Sequence, residues 1–157
     1  MEAEFINAVR EARLKDIEAY LNTQPNLLNW KDQRGSTALL LATYYGHEAV
    51  VEYLLNRNPE INAQDQAGNT ALMGVCFKGY LNVAKMLIQA GADVNKTNFN
   101  GASALIYAAM FNKDELVALL LENGADTGQK DERGLTAKDH AQMQGFSNLA
   151  ALIATYE

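Results

Sequence analysis

With 157 residues, 48% of them apolar and 20% charged, the chain has the size and balance of one globular or repeat domain. Its 13 basic and 19 acidic residues leave a formal charge of −6, which works against a phosphate-neutralising surface and so against nucleic acid as a partner. The single cysteine, Cys76, allows no intrachain disulfide, and no stretch reaches the roughly 18 to 20 apolar residues of a membrane span, so a reducing, cytoplasmic setting without a membrane is expected.

The chain opens on MEAEFINAVREARLKD, whose early acids and alternation of polar with apolar residues lack the basic start and apolar run of a signal peptide. Ile6, Val9, Ile17 and Leu21 share an apolar face, while Glu2, Glu4, Arg10, Arg13 and Lys15 make the remaining surface polar. From residue 32 the chain reads DQRGSTALLLATYYGHEAVVEYLL. Asp32 and Gly35 predict a turn, and Thr37 supplies an oxygen for an unpaired amide in the first turn of a helix. Leu39, Ala42 and Thr43 then share one stripe of a short helix that Gly46 ends in the left-handed region. Val50, Val51, Leu54 and Leu55 follow the spacing of a second helix with one buried face, and Asn58 closes it.

Residue 65 begins the pattern again as DQAGNTALMGVCFKGYLNVAKMLI. Turn glycines recur at Gly35, Gly68, Gly101 and Gly134, a second series runs Gly46, Gly79, Asn112, Gly145, and a third runs Leu54, Leu87, Leu120, Ile153. Helix-opening hydroxyls follow the same interval at Thr37, Thr70, Ser103 and Thr136, and Gly91 and Gly124 stop the second helices of the third and fourth units. Such self-similarity marks stacked supersecondary units that bury their apolar faces against one another. The last stretch replaces the apolar slot of Leu39, Leu72 and Leu105 with Lys138, followed by Asp139 and His140. It is therefore expected to face solvent on its far side, and polar surfaces at both ends predict a complete stack.

The unit of turn, short helix, tight bend, longer helix and extended segment resembles the ankyrin repeat. The stretch from residue 32, GADVN at 91–95 and GAD at 124–126 carry the resemblance. It implies an all-α solenoid of helix-turn-helix units joined by β-turn or hairpin-like loops. One domain spans 1–157, divided as an N-terminal cap 1–31, then 32–64, 65–97, 98–130 and a C-terminal cap 131–157. Where the family pattern has T-P-L-H, this chain has TALL, TALM, SALI and TAKD at 37, 70, 103 and 136. Alanine replaces a proline that would pre-set the first helical angle, at a cost of about 1 kcal/mol or less per unit.

Residues for catalysis are sparse. Cys76 occupies the slot of Thr43, Ala109 and Gln142, where a small side chain suits packing, and no His or basic residue adjoins it in sequence. His47 and His140 lie in different units without zinc-motif spacing, and the acids Asp32, Asp65, Asp93, Asp126 and Asp131 follow the repeat as turn formers. The expectation is no catalytic residue, no metal and no cofactor. A reactive Cys76 is retained as the enzyme alternative, to be kept only if the thiol labels fast at neutral pH.

Positions where the units disagree are the candidates for function. The resemblance implies that partners bind a concave side made of the turn tips and the exposed ends of the first helices. Those slots hold Arg34, Tyr44 and Tyr45, then Phe77 and Lys78, then Phe99, Met110 and Phe111, and finally Arg133, with Trp30 extending the series. A ribbon of aromatic and Met side chains edged by cations marks an interaction site. The alternative is that some of these side chains, Phe77 and Met110 above all, thicken a core weakened by Gly74. The expected function is a non-enzymatic interaction module, a monomer gripping an unidentified protein or peptide. A self-associating, homodimeric scaffold is the second reading.

Overall fold

The computed structural model describes residues 1–157 as ten α-helices in five consecutive pairs. They are α1 (Glu2–Arg10) with α2 (Leu14–Thr23), α3 (Ala38–Tyr44) with α4 (Glu48–Leu55), and α5 (Ala71–Lys78) with α6 (Leu81–Gln89). Then come α7 (Ala104–Met110) with α8 (Asp114–Glu122) and α9 (Ala137–Met143) with α10 (Ser147–Ala154). A 3₁₀ turn, Pro25–Asn29, follows α2, and the only β feature is an antiparallel bridge between Thr97 and Ser103 at a turn tip. None of these helices is long and apolar enough to cross a membrane. The all-α solenoid read from the repeat is the architecture observed.

Each first helix after the opening pair starts as its hydroxyl dictates. The side-chain oxygens of Thr37, Thr70, Ser103 and Thr136 accept from the amides of Leu40, Met73, Ile106 and Asp139 at 3.1–3.3 Å. Asp139 returns the bond to the Thr136 amide at 3.0 Å, closing a reciprocal cap. Ala38, Ala71, Ala104 and Ala137 stand at the first helical position and are buried, so alanine fits where the family pattern places proline.

The bend after each first helix needs a left-handed residue, and Gly46 at φ +71° and Gly79 at φ +85° supply it without the clash a Cβ brings. Asn112 does the same at φ +57°. The opening pair departs from the pattern: its bend residue is Ala12, at φ +56°, while Arg13 stands in the slot corresponding to Gly46. The first pair is one residue out of register with the others. A sidechain-bearing, non-Asn residue in this region is strained.

Two helical layers result. First helices stack as α3, α5, α7, α9 and second helices as α4, α6, α8, α10, and neighbours in the first layer pack more closely than neighbours in the second. The reason lies in the side chains: Ala42, Ala108, Ala109 and Ala141 let first helices approach, while Val50, Val83, Leu116 and Leu149 hold second helices apart. The tighter layer takes the shorter arc, so the stack curves toward the first helices. Leu54, Leu87, Leu120 and Ile153 are all fully buried between the layers, within one continuous core running from Phe5 to Ile153.

Neighbouring pairs are also sewn together by hydrogen bonds. At the tips, the amides of Gln66, Phe99 and Glu132 donate to the carbonyls of Arg34, Ala67 and Asn100 at 2.9–3.1 Å. On the loops after the second helices, the side-chain oxygens of Asn29, Asn62 and Asn95 accept from the amides of Glu60, Asp93 and Asp126 at 2.7–2.9 Å. The slot after Asn95 in this series is Gly128, which has no side chain to accept such a bond.

One expectation about the C-terminal cap is corrected. Lys138 does reach solvent and pairs with Glu157 at 3.0 Å, but His140 turns inward and is only 5% exposed. Its Nε2 donates to Asp131 Oδ2 at 2.7 Å, a hydrogen bond that gives this buried ring nitrogen a partner. The cap's exposed residues in α9 and its bend are Gln142, Met143, Gln144 and Gly145.

Candidate functional site

The turn tips are built identically. One carboxylate or amide oxygen of Asp32, Asp65, Asn98 and Asp131 accepts two amides of its own turn, at positions two and four residues on, at 2.9–3.1 Å. These acids are occupied with turn formation, and the intervening residues, Gln33 and Arg34, Gln66 and Ala67, Phe99 and Asn100, Glu132 and Arg133, are presented to solvent. For Asp131, burial opposes ionisation, but the His140 ring and the amides of Leu135 and Arg133 outweigh it and hold the carboxyl below its ordinary value. The Thr136 amide lowers that of Asp139 in the same way.

The ends of the first helices lie on the same face. Tyr44, Tyr45, Phe77 and Phe111 are between 39% and 45% exposed, too much for core side chains and too little for rings standing free. They touch one another instead. Tyr44 and Tyr45 meet edge to face with centroids 5.9 Å apart, Phe77 and Phe111 likewise at 5.0 Å, and Tyr45 stacks on His47 at 5.8 Å. Lys78 bridges the units, its Nζ lying 5.0 Å above the Tyr44 ring and 5.9 Å from that of Tyr80. His47 is fixed from the other side, its Nε2 donating to the Arg10 carbonyl at 2.8 Å.

The remaining candidates divide. Phe99 is 70% exposed at its tip and stands over Gly68, where an added Cβ would come within 2.6 Å of the Phe99 amide. It joins none of the ring pairs. Trp30 and Met110 are half-buried and packed against the core, so the structure places them behind the exposed rings rather than in series with them. Arg34, Lys78 and Arg133 are exposed and take part in no ion pair; the cations that do are Arg10, Arg13, Lys138, His140 and the N-terminus.

Cys76 is fully enclosed, and burial pushes its thiol up to about 12, so it offers no thiolate near neutral pH. No three of the His, Cys, Asp and Glu side chains converge as a metal ion requires. What the face can do chemically is bury aromatic surface and engage anions through unpaired cations.

Two features escaped the sequence reading. The Asn29, Asn62, Asn95 series recurs at the repeat interval and could have been found by extending the search for periods to the loops. The other is a cleft of about 240 Å³ beside Gly74, lined by Tyr44, Asn69, Met73, Phe77 and Tyr107. Its signal was the single glycine in a helix slot otherwise filled by Leu41, Tyr107 and His140.

Comparison with known proteins agrees with this architecture. A family model described as ankyrin repeats in three copies matches residues 5–98, and a second, described as ankyrin repeats in many copies, matches residues 87–141. No curated protein matches the chain significantly. With the two matches together reaching from the first helix pair into the last, and the tips, bends and stacked layers repeating as they do, the chain belongs to the ankyrin repeat family.

Proposed function

We propose that this protein is a non-enzymatic binding module that docks a partner protein or peptide on the concave face of its solenoid. Ankyrin repeats are in general protein–protein interaction modules, and typically non-enzymatic. The observation that carries the reading is the set of half-exposed rings, paired as Tyr44 with Tyr45 and Phe77 with Phe111, with Tyr44 and Phe77 lining one cleft and Lys78 lying over the Tyr44 ring. Solubility alone does not favour such a patch, whereas interface cores are enriched in aromatics. Phe99 and the unpaired Arg34 and Arg133 form its edge, with Trp30 and Met110 supporting it from beneath. The tip-to-tip hydrogen bonds preorganise this face, so little ordering entropy is lost on docking.

In this reading five units, 1–31, 32–64, 65–97, 98–130 and 131–157, act as one monomeric domain in the cytoplasm. The test is affinity capture from native lysate with the wild type and with the triple variant Tyr44→Ser, Tyr45→Ser, Phe111→Ser. A protein retained by the first and lost by the folded second supports the reading; identical capture by both refutes the assigned face. Self-association through the same rings is the competing use, and a sedimentation coefficient that rises with concentration in the wild type but not in the triple variant would establish it.

A further inference from the structure

Gly74 is the only glycine within a helix of this protein. Its backbone lies outside the left-handed region, and an added Cβ would meet nothing nearer than Tyr44 Cδ1 at 3.5 Å, an ordinary contact. Neither backbone angle nor crowding calls for glycine here, and glycine inside a helix is destabilising relative to alanine. What the missing side chain produces is the cleft. Met73 floors it, Tyr44, Phe77 and Tyr107 wall it, and a groove sharing Tyr44, Asn69 and Gly74 runs on from it toward Arg34 and Leu40.

The polar groups of this groove have uneven fates. Asn98 Nδ2 donates to Asn69 Oδ1 at 2.9 Å and to the Tyr107 hydroxyl at 3.1 Å, and that hydroxyl donates to Asn69 Oδ1 at 3.3 Å. Asn69 Nδ2 donates to no protein group, leaving a free amide donor in the cleft wall. Asp32 and Asp65, the two carboxylates of the groove, each accept two amides of their own turn, and Asp32 also faces Arg10 at 4.0 Å. Lys78 at one end and Arg34 at the other have no carboxylate partner. Elsewhere the chain is acidic, at −6 overall, with Glu48, Glu52, Asp114 and Glu115 exposed on the second helices. An acidic ligand is repelled by that surface and attracted to these two cations, which restricts where it can settle.

We propose that the Gly74 cleft takes one bulky apolar side chain from an extended partner segment whose adjoining residues are Asp or Glu. This rests on the reading of the ring-bearing face as a docking surface. The apolar side chain leaves water between the aromatic walls, the adjoining carboxylates meet Lys78 and Arg34, and Asn69 donates to a backbone carbonyl of the segment.

The test is selection from a phage-displayed library of random linear peptides on the whole protein, with Gly74→Leu and Lys78→Glu selected in parallel and their folds checked by circular dichroism. The wild type is expected to enrich a bulky apolar residue beside Asp or Glu. Gly74→Leu fills the cleft and is expected to weaken the best peptide by on the order of tenfold or more. Lys78→Glu is expected to erase the acidic preference. Enrichment of basic or uncharged motifs by the wild type overturns the proposal, as does an unchanged motif in Lys78→Glu, an arm that decides the matter even if Gly74→Leu does not fold. Peptides that are lost with the Tyr44, Tyr45, Phe111 triple variant but bind Gly74→Leu undiminished leave the docking face standing and sink the cleft. Failure of the wild type to enrich any sequence removes both.

Discussion

Ala12 is the one residue in this protein held at a left-handed angle without being glycine or asparagine, at φ +56° against +55° for Asn58 and +57° for Asn112. An L-residue there brings Cβ against the following carbonyl, a strain of about 1–2 kcal/mol. Ala12→Gly removes it while leaving the surrounding bonds alone: the Ala12 amide still donates to Val9 O at 3.1 Å and its carbonyl still accepts from the Leu14 amide at 3.0 Å. The methyl group is exposed, so its loss forfeits no packing. Against the relief stands the greater freedom of glycine in the unfolded chain, about 0.4–1 kcal/mol. The expected net effect is a stabilisation of about 0.5–1 kcal/mol, or roughly 1–4 °C in Tm for a chain of this length. Because a stack of repeats can open locally, pair by pair, urea unfolding should be read together with amide exchange in α1 and α2. Asn112→Gly, at an angle Asn already tolerates, serves as the near-neutral control. If Ala12→Gly lowers the urea midpoint and speeds exchange in α1, the strain argument is wrong and the methyl has an unseen role.

Three further outcomes follow from the same geometry. Asn62→Ala leaves the Asp93 amide without its 2.9 Å partner and should cost about 0.5–1.5 kcal/mol, read as a lower urea midpoint and faster exchange at Asp93; no change in either would mean the asparagine series holds nothing together. Cys76 should react with a thiol reagent only as fast as the fold opens, in step with added urea, and rapid labelling of the native protein would contradict its burial. The carboxyls of Asp131 and Asp139 are held below their ordinary values, so their contribution to stability is present above about pH 4 and is lost as pH falls through the lowered values. Asp131→Asn keeps an acceptor for its turn, as Asn98 does, and should reduce the loss of Tm on acidification to about pH 3; an unaltered acid profile would remove Asp131 from the account.

Most of the architecture was legible because backbone requirements recur in the sequence as specific residue types. A left-handed bend demands Gly or Asn, a helix start demands a hydroxyl, and a stacked layer demands the Leu54, Leu87, Leu120, Ile153 series. Ala12 was not legible since it meets the same demand by strain rather than by composition. His140 read as a solvent-facing cap residue, because nothing in one dimension shows Asp131 arriving 2.7 Å from its ring. The exposed aromatics were visible as disagreements between units, but their division was not: Tyr44, Tyr45, Phe77 and Phe111 stand out while Trp30 and Met110 pack inward, and only side-chain direction decides that. The Gly74 cleft is defined by an absence, which acquires meaning once the surrounding rings are in place.

The unequal closeness of the two helical layers has a mechanical consequence. First helices in near-contact through alanines resist being pushed together, while second helices separated by larger side chains have more room to slide, so the easiest deformation is a change of curvature about the tight layer as a hinge line. The backbone bonds from tip to tip, at 2.9–3.1 Å, tie each unit to the next. The solenoid therefore behaves as a leaf spring rather than a rod, compliant along one direction and stiff across it.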